Sequence, residues 1–415
     1  MLVACRTPAE PVSQTSVTSA PAVVATPVEA APDAGAPITV APPPPPPLRV
    51  LVGGDLIPHR PSLATPAAIT AALAPLHELF SSADVVVANY EAATGELEKK
   101  AFRLAYAAPK SWLAALPDAG IGAVSVANNH ACDLSFDGID GTLEATRDAK
   151  LITLGGDAKD PWQPRVLAQS NGKKVCGVAW TTLVNAEGGC ARTTRLAIAP
   201  ETPAGKVRAV TALQRARREC DAVVAIIHGG IEYLPQTSSI AMLARQAADT
   251  GADAVVVHHP HIASPISVHT TKDGRAVPIF ASVGNLVSNQ GESWKPPMFP
   301  VLRENRRLVC VNGWTRLGVL ADLSFDLAGT TPRLHWGFHL VWNENTHAED
   351  RARDAKISAR LIDPTKDAEI LEQLSHDEEG PLSLFSDPCW AERGSPENPR
   401  CSGDLTRRPA RTIRR

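Results

Sequence analysis

His258, His259 and His261 stand within four residues, in the stretch HHPH, at the end of the apolar run Val255-Val256-Val257. A short β-branched run of this kind reads as a buried parallel strand with both faces covered, so the imidazoles fall where the strand stops. The arrangement recurs along the chain. LRVLVGG leads to Asp55, with His59 soon after; ADVVVANYE ends at Glu91, IGAVSVANNH at Asn129 and His130, and DAVVAIIHGG at His228. Imidazole, carboxylate and an occasional amide oxygen form the mixed ligand set of Zn, Mn or Fe. Asp55, His59, Glu91, Asn129, His228, His259 and His261 supply seven such groups. Seven is more than one tetrahedral ion uses and suits two divalent transition-metal ions bridged by a carboxylate. A structural zinc site would draw on cysteine, and none stands at these strand ends.

Each residue alone has an ordinary use. An Asp after a strand caps a helix or forms a turn, His228 before Gly229-Gly230 opens a turn, and Glu91 could pair with an arginine. Convergence is what points to chemistry. Pro260 restricts the residue before it to extended geometry. On that reading His259 and His261, two apart, project to one side, while His258 turns the other way to hold the loop.

To bring such groups together the chain must place its strand ends side by side. From Leu48 the pattern is strand, loop, helix, repeated, and in open α/β sheets sites form in the crevice outside the carboxyl ends of the strands. Helical spacing predicts helices over 66–80, with Pro66 in its first turn, and over 137–149, 205–219 and 236–250. Further strands are expected at KKVCGVAW, at 253–258 and at PIFASVGN ending at Asn285. LGVLADLSFD and LHWGFHLVW read as late antiparallel strands. The chain then divides into residues 1–48, 49–345 and a polar extension, 346–415, expected to lie irregularly over the core.

The first 48 residues hold 12 of the 36 prolines and no aromatic residue. Such a segment has no core to bury and reads as an extended tether. Ahead of it, Leu2-Val3-Ala4-Cys5 matches a lipobox. Taking Met1 as a start inside a signal peptide, the expectation is a lipid anchor on Cys5. Of the other seven cysteines, Cys389 with Cys401 could close a loop in the tail, and Cys176 with Cys190 is a weaker pairing. The odd number leaves one thiol over. A net charge of −3 gives no electrostatic case for a nucleic-acid partner, and no stretch is apolar enough to span a bilayer.

The motifs GGDLIPHR (53–60), ANYEAATG (88–95), VANNHACDLSFDGIDGTLEA (126–145), VVAIIHGGIEY (223–233), GADAVVVHHPHIASPI (251–266) and FASVGNLVSNQ (280–290) together resemble the bacterial poly-γ-glutamate capsule-synthesis proteins of the CapA type. Their fold is that of the calcineurin-like metallophosphoesterases. The resemblance implies a four-layer α/β/β/α sandwich with a dinuclear site. In it Asp55 and His59 come from the first strand, Glu91 bridges, and Asn129, His228, His259 and His261 complete the ligands. It makes His130 the general acid and Asp133 the carboxylate that orients it. Two positions depart from the family pattern: Gly229 stands where Trp is common, and Val257 where Gly is common. The implied activity is metal-assisted hydrolysis of a phosphoester or γ-glutamyl bond, by an envelope lipoprotein working with capsule-synthesis machinery. The competing readings are a non-catalytic scaffold and a module that grips an anionic polymer.

Overall fold

Apolar alternation with a period of two decides the layers. In the strand Leu48–Leu56, Val50 and Val52 face one way and Leu51 the other. In Val85–Tyr90, Val85 and Val87 share the side of Val50, and Val86 and Ala88 that of Leu51. The computed structural model describes residues 45–59, 62–96, 105–185, 190, 192–234, 237–295, 308–347, 350, 355–393 and 398–406. The Cys5 lipobox and the tether up to residue 44 lie outside them.

Two large sheets carry most of the described chain, and Ala93–Thr94 with Ala107–Ala108 forms a small third one. The first runs, in spatial order, Ile357–Leu361, Arg333–Asn345, Leu317–Asp326, Leu48–Leu56, Val85–Tyr90, Ala123–Ser125 and Ile152–Leu154. The second runs Ile266–Thr270, Ala276–Phe280, Ala254–His258, Ala222–His228, Lys173–Thr181 and Arg165–Ser170. Between them Val50, Val52 and Val87 meet Val175, Val224, Ile226 and Val256. On the outer face of the first sheet, Leu51, Val86 and Val124 pack against Ile69, Leu73, Trp112 and Ile139 from helices. On the outer face of the second, Val223, Ile227, Val255 and Val257 pack against Leu213, Ala216, Ile240 and Ala247. Three apolar layers divided by two sheets make the four-layer α/β/β/α sandwich.

Local chemistry explains the element ends. Thr65 caps Pro66–Leu73 by accepting the Ala68 N–H at 3.2 Å, with proline in the first turn. The helix expected over 66–80 is broken by Pro75, which has no N–H to donate. Ala74–Leu76 is a 3-10 turn, and the helix resumes as His77–Ser81. The strand expected to reach His130 stops at Ser125, and Asn129–Cys132 forms a 3-10 turn capped by Asn128. PIFASVGN is likewise not one strand. Ala276–Phe280 belongs to the second sheet, while Asn285–Val287 pairs with Leu48–Leu56 of the first. Gly284, at φ 64°, makes the crossing between them.

The late strands Leu317–Asp326 and Arg333–Asn345 pair antiparallel as expected. The described residues after 346 are mostly irregular, yet Ile357–Leu361 and Ser402–Asp404 both extend the Arg333–Asn345 strand. Trp390 from this segment is fully buried in the layer between the sheets. Disulfides join Cys132 to Cys190, Cys176 to Cys220 and Cys389 to Cys401, leaving Cys310 free and exposed. The tail bridge is the one expected. Cys176 takes Cys220 instead of Cys190, because Val223 pairs in register with Cys176 and brings the end of the preceding helix beside it.

Candidate metal centre

The parallel strands of both sheets stop at the same end of the layer between them. In the second sheet Thr181, His228 and His258 lie side by side in register. In the first, Asp55 pairs with Asn89, and Asn89 with Ser125. Period two turns His228 and His258 inward, on the side of Val224, Ile226 and Val256.

Asp55 arrives by a different device. Simple alternation from Val52 would turn it toward the helices. A bulge between Val52 and Asp55 inserts one residue against Val87 and Asn89 and reverses the phase. Leu56 therefore joins Leu51 in the helix-side core, and Asp55 faces the second sheet. Gly54 permits this: a Cβ there would lie 2.1 Å from the Gly284 carbonyl oxygen.

The groups then meet. Glu91, His259 and His261, all buried, each bring a ligand atom within 4.8 Å of the others, a candidate metal-binding triad. His261 Nδ1 is 3.2 Å from Asp55 Oδ2, and its Nε2 is 3.6 Å from Glu91 Oε1. His228 Nε2 lies 2.8 Å from Asn129 Oδ1 and 3.9 Å from Glu91 Oε1. Six of the seven proposed ligands thus form one buried cluster. His59 is set apart at its edge. Its Nδ1 accepts the Asn289 N–H at 2.9 Å, and its Nε2 faces the Tyr106 hydroxyl at 3.2 Å.

His130 lies beside the cluster with its ring fixed: Nδ1 donates to Asp133 Oδ2 at 2.6 Å. That carboxylate oxygen also accepts the Tyr106 N–H at 2.6 Å. His258 does not turn away from the site to hold the loop, as the sequence predicts; it faces inward beside His228, where its Nε2 donates to the Gly53 carbonyl at 2.8 Å and ties the second sheet to the bulge of the first.

His259 is not extended, contrary to the expectation from Pro260. Its φ is 98°, and that of His261 is 60°. Two left-handed residues, not strand alternation, bring both rings to the site. Tyr233, whose ring centroid is 6.0 Å from that of His261, has φ 63°, and its N–H donates to the Pro260 carbonyl. Such conformations cost roughly 1–3 kcal/mol each and persist where the surroundings fix them, most often at functional sites.

Electrostatics reflect the crowding. Burial pushes the Glu91 carboxyl well above the usual carboxylate range, and neighbouring Asp55 pushes it further. Burial acts on Asp55 too, but the hydrogen bond from His261 and the charges of His258 and His228 hold it below that range. Burial, reinforced by His261, lowers His259 to about 3, and burial with His259 takes His228 well below its ordinary value. For His261 burial is outweighed by the hydrogen bond to Asp55, and the ring is raised. Neither carboxylate oxygen of Glu91 has a hydrogen-bond partner, nor does His259 Nδ1. A buried polar atom without a partner costs about 1–3 kcal/mol, and more when charged. Lone pairs of this kind, converging from carboxylate and imidazole, fit a divalent cation.

A family model described as bacterial capsule synthesis protein PGA_cap matches residues 49–290, more than half of the chain. The chain belongs to this family. It is similar to the PGA biosynthesis protein CapA of Bacillus subtilis (strain 168), at 30% identity over 179 residues, 42% of this chain and 45% of that protein. It is also similar to the capsule biosynthesis protein CapA of Bacillus anthracis, at 28% identity over 218 residues, 51% of this chain and 52% of that one. The chain thus spans about half the length of the curated relatives it matches.

Within the PGA_cap span lie further polar residues that the sequence reading did not assign. Asn128 accepts the His130 N–H and donates to the Tyr90 carbonyl and to Asn89 Oδ1; Asn89 in turn donates to Asp55 Oδ1 at 2.8 Å. Both stand inside quoted motifs, but only the register reveals what they touch. Gly229, which replaces the common Trp, sits against Thr182: a Cβ there would be 2.4 Å from its Oγ1. Val257 points away from the site into the helix-side core of the second sheet.

Proposed function

We propose that this PGA_cap protein is a metal-dependent hydrolase that cleaves a phosphoester or γ-glutamyl bond during synthesis of an envelope polymer. The observation that carries the reading is Glu91: both its oxygens are buried and unpartnered, facing His259 and His261. Asp55, Glu91, Asn129, His228, His259 and His261 would hold two divalent ions, Mn, Fe or Zn, while both nitrogens of His59 are engaged by Asn289 and Tyr106. Bound there, such ions would polarise the scissile group and lower the pKa of a coordinated water.

The chain's own residues supply the proton and the orientation. His130 donates Nδ1–H to Asp133, so the ring offers Nε2 to the crevice, with Asn185 Nδ2 3.5 Å away. When the ring carries a second proton, on Nε2, that nitrogen is placed to pass it to a leaving oxygen or nitrogen. Asp133, held by the Tyr106 N–H, fixes the ring plane; Asn128, holding the His130 N–H, fixes the turn beneath it. The cluster is buried between two sheets, where electrostatic interactions strengthen.

We place the protein at the bacterial cell envelope, anchored through Cys5 and working with capsule-synthesis machinery on an anionic polymer or phosphoester. Among the described residues no helix is long and apolar enough to cross a membrane. The test is turnover by metal-loaded protein on phosphomonoesters, phosphodiesters and γ-glutamyl oligomers, alongside His130→Ala. Turnover that falls in the variant supports the reading. Bound metal without turnover of any substrate would favour a scaffold or polymer-gripping role.

A further inference from the structure

We propose that Asn285 is a positioning residue that fixes which nitrogen of His261 faces the metal centre, an inference that rests on the metal-centre reading above. Asn285 is fully buried and pairs in register with Asp55. Its Nδ2 lies 2.8 Å from the Thr315 carbonyl oxygen and 3.4 Å from that of His261, and carbonyl oxygens only accept. The amide is therefore oriented without ambiguity, nitrogen toward the carbonyls and Oδ1 toward His261 Nδ1 at 3.0 Å. An amide oxygen also only accepts, so His261 Nδ1 carries the hydrogen.

The lone pair of the neutral ring then sits on Nε2, the atom 3.6 Å from Glu91 Oε1. Asp55 Oδ2 accepts from the same Nδ1 at 3.2 Å, but Asp55 is itself a proposed ligand. Asn285 is the acceptor with no other duty at the centre. Partners of this kind set the tautomer and ring orientation of metal-binding histidines, and their loss typically lowers metal affinity by about 10–100-fold. The position was visible in FASVGN, where a polar residue follows Gly284.

The test measures binding of Zn²⁺ or Mn²⁺ alone by competition with a chelator, in wild type, Asn285→Leu, His261→Ala and the double variant. The expected result is a loss of about 10–100-fold in Asn285→Leu and no further loss when it is added to His261→Ala. Equal losses in both backgrounds would show a general structural effect and overturn the proposal, as would unchanged affinity in Asn285→Leu. Should Asn285→Leu fail to fold, long-range proton–nitrogen NMR of the zinc-loaded wild type decides: Nδ1 protonated supports the assignment, and Nδ1 bound to zinc refutes it. If the wild type binds neither ion, the metal-centre reading itself fails.

Discussion

At the scale of single residues, the groups proposed to hold metal are distinct from the group proposed to move a proton. His259→Ala or His261→Ala should lower metal content and hydrolysis together, because both rings belong to the buried triad with Glu91. His130→Ala should keep the metal and lose hydrolysis by roughly 10²–10⁴-fold, least for substrates whose leaving group needs no protonation. Elemental analysis beside a rate measurement distinguishes the two; a His130→Ala protein emptied of metal would reverse the assigned roles. His258→Ala belongs to a third class, since its loss leaves the Gly53 carbonyl unpaired in the core. It should cost about 1–3 kcal/mol in denaturant unfolding with metal content kept. Residue types were enough to nominate these histidines. They could not reveal hydrogen-bond direction, which is why His59, engaged by Asn289 and Tyr106, ranked equally with His261 in the sequence.

Among elements, the bulge at Gly53-Gly54 and the turn Asn129–Cys132 do the positioning. Gly54→Ala would drive a methyl group into the Gly284 carbonyl. The strand must then shift, costing roughly 1–3 kcal/mol and moving Asp55 out of place; calorimetry and metal analysis should both register the change. A variant as stable and as metal-competent as wild type would disprove that role for the bulge. The Cys132–Cys190 bridge fastens the His130 turn to the segment bearing Asn185. It closes a separation of 58 residues, for which chain entropy predicts about 4 kcal/mol. The paired variant Cys132→Ser with Cys190→Ser should therefore melt markedly lower, with hydrolysis falling more than metal content. Apolar runs made the strands around 50, 87, 225 and 256 legible from sequence. The bulge was hidden because inserting one residue leaves composition unchanged while reversing which side chain faces the core. PIFASVGN misled for a related reason: its apolar run continues through Gly284, where the chain changes sheets.

On the scale of the molecule, the order of the strands within the two sheets was not read from the sequence, but the buried parallel strands themselves were legible because they are rich in Val, Ile and Ala. The contribution of the polar C-terminal segment was less so, since few of its residues are apolar and its strands are short. One ion cluster, to which this segment contributes Glu392, gives a whole-fold prediction. His339 bridges Asp322, which also holds Arg49, and Glu392. Burial would lower the imidazole, but the hydrogen bonds it donates to these two carboxylates raise it to about 9. A raised folded-state value means the stabilisation is complete below the unfolded value near 6.5 and fades as pH climbs through about 9. His339→Asn should thus be less stable than wild type at pH 6, with the gap closing by pH 10; a gap independent of pH would contradict the charged-imidazole assignment. The most direct measurement of the metal centre is elemental analysis of the folded protein purified without chelator, which should find close to two transition-metal ions per chain, while a folded sample with none would contradict the account.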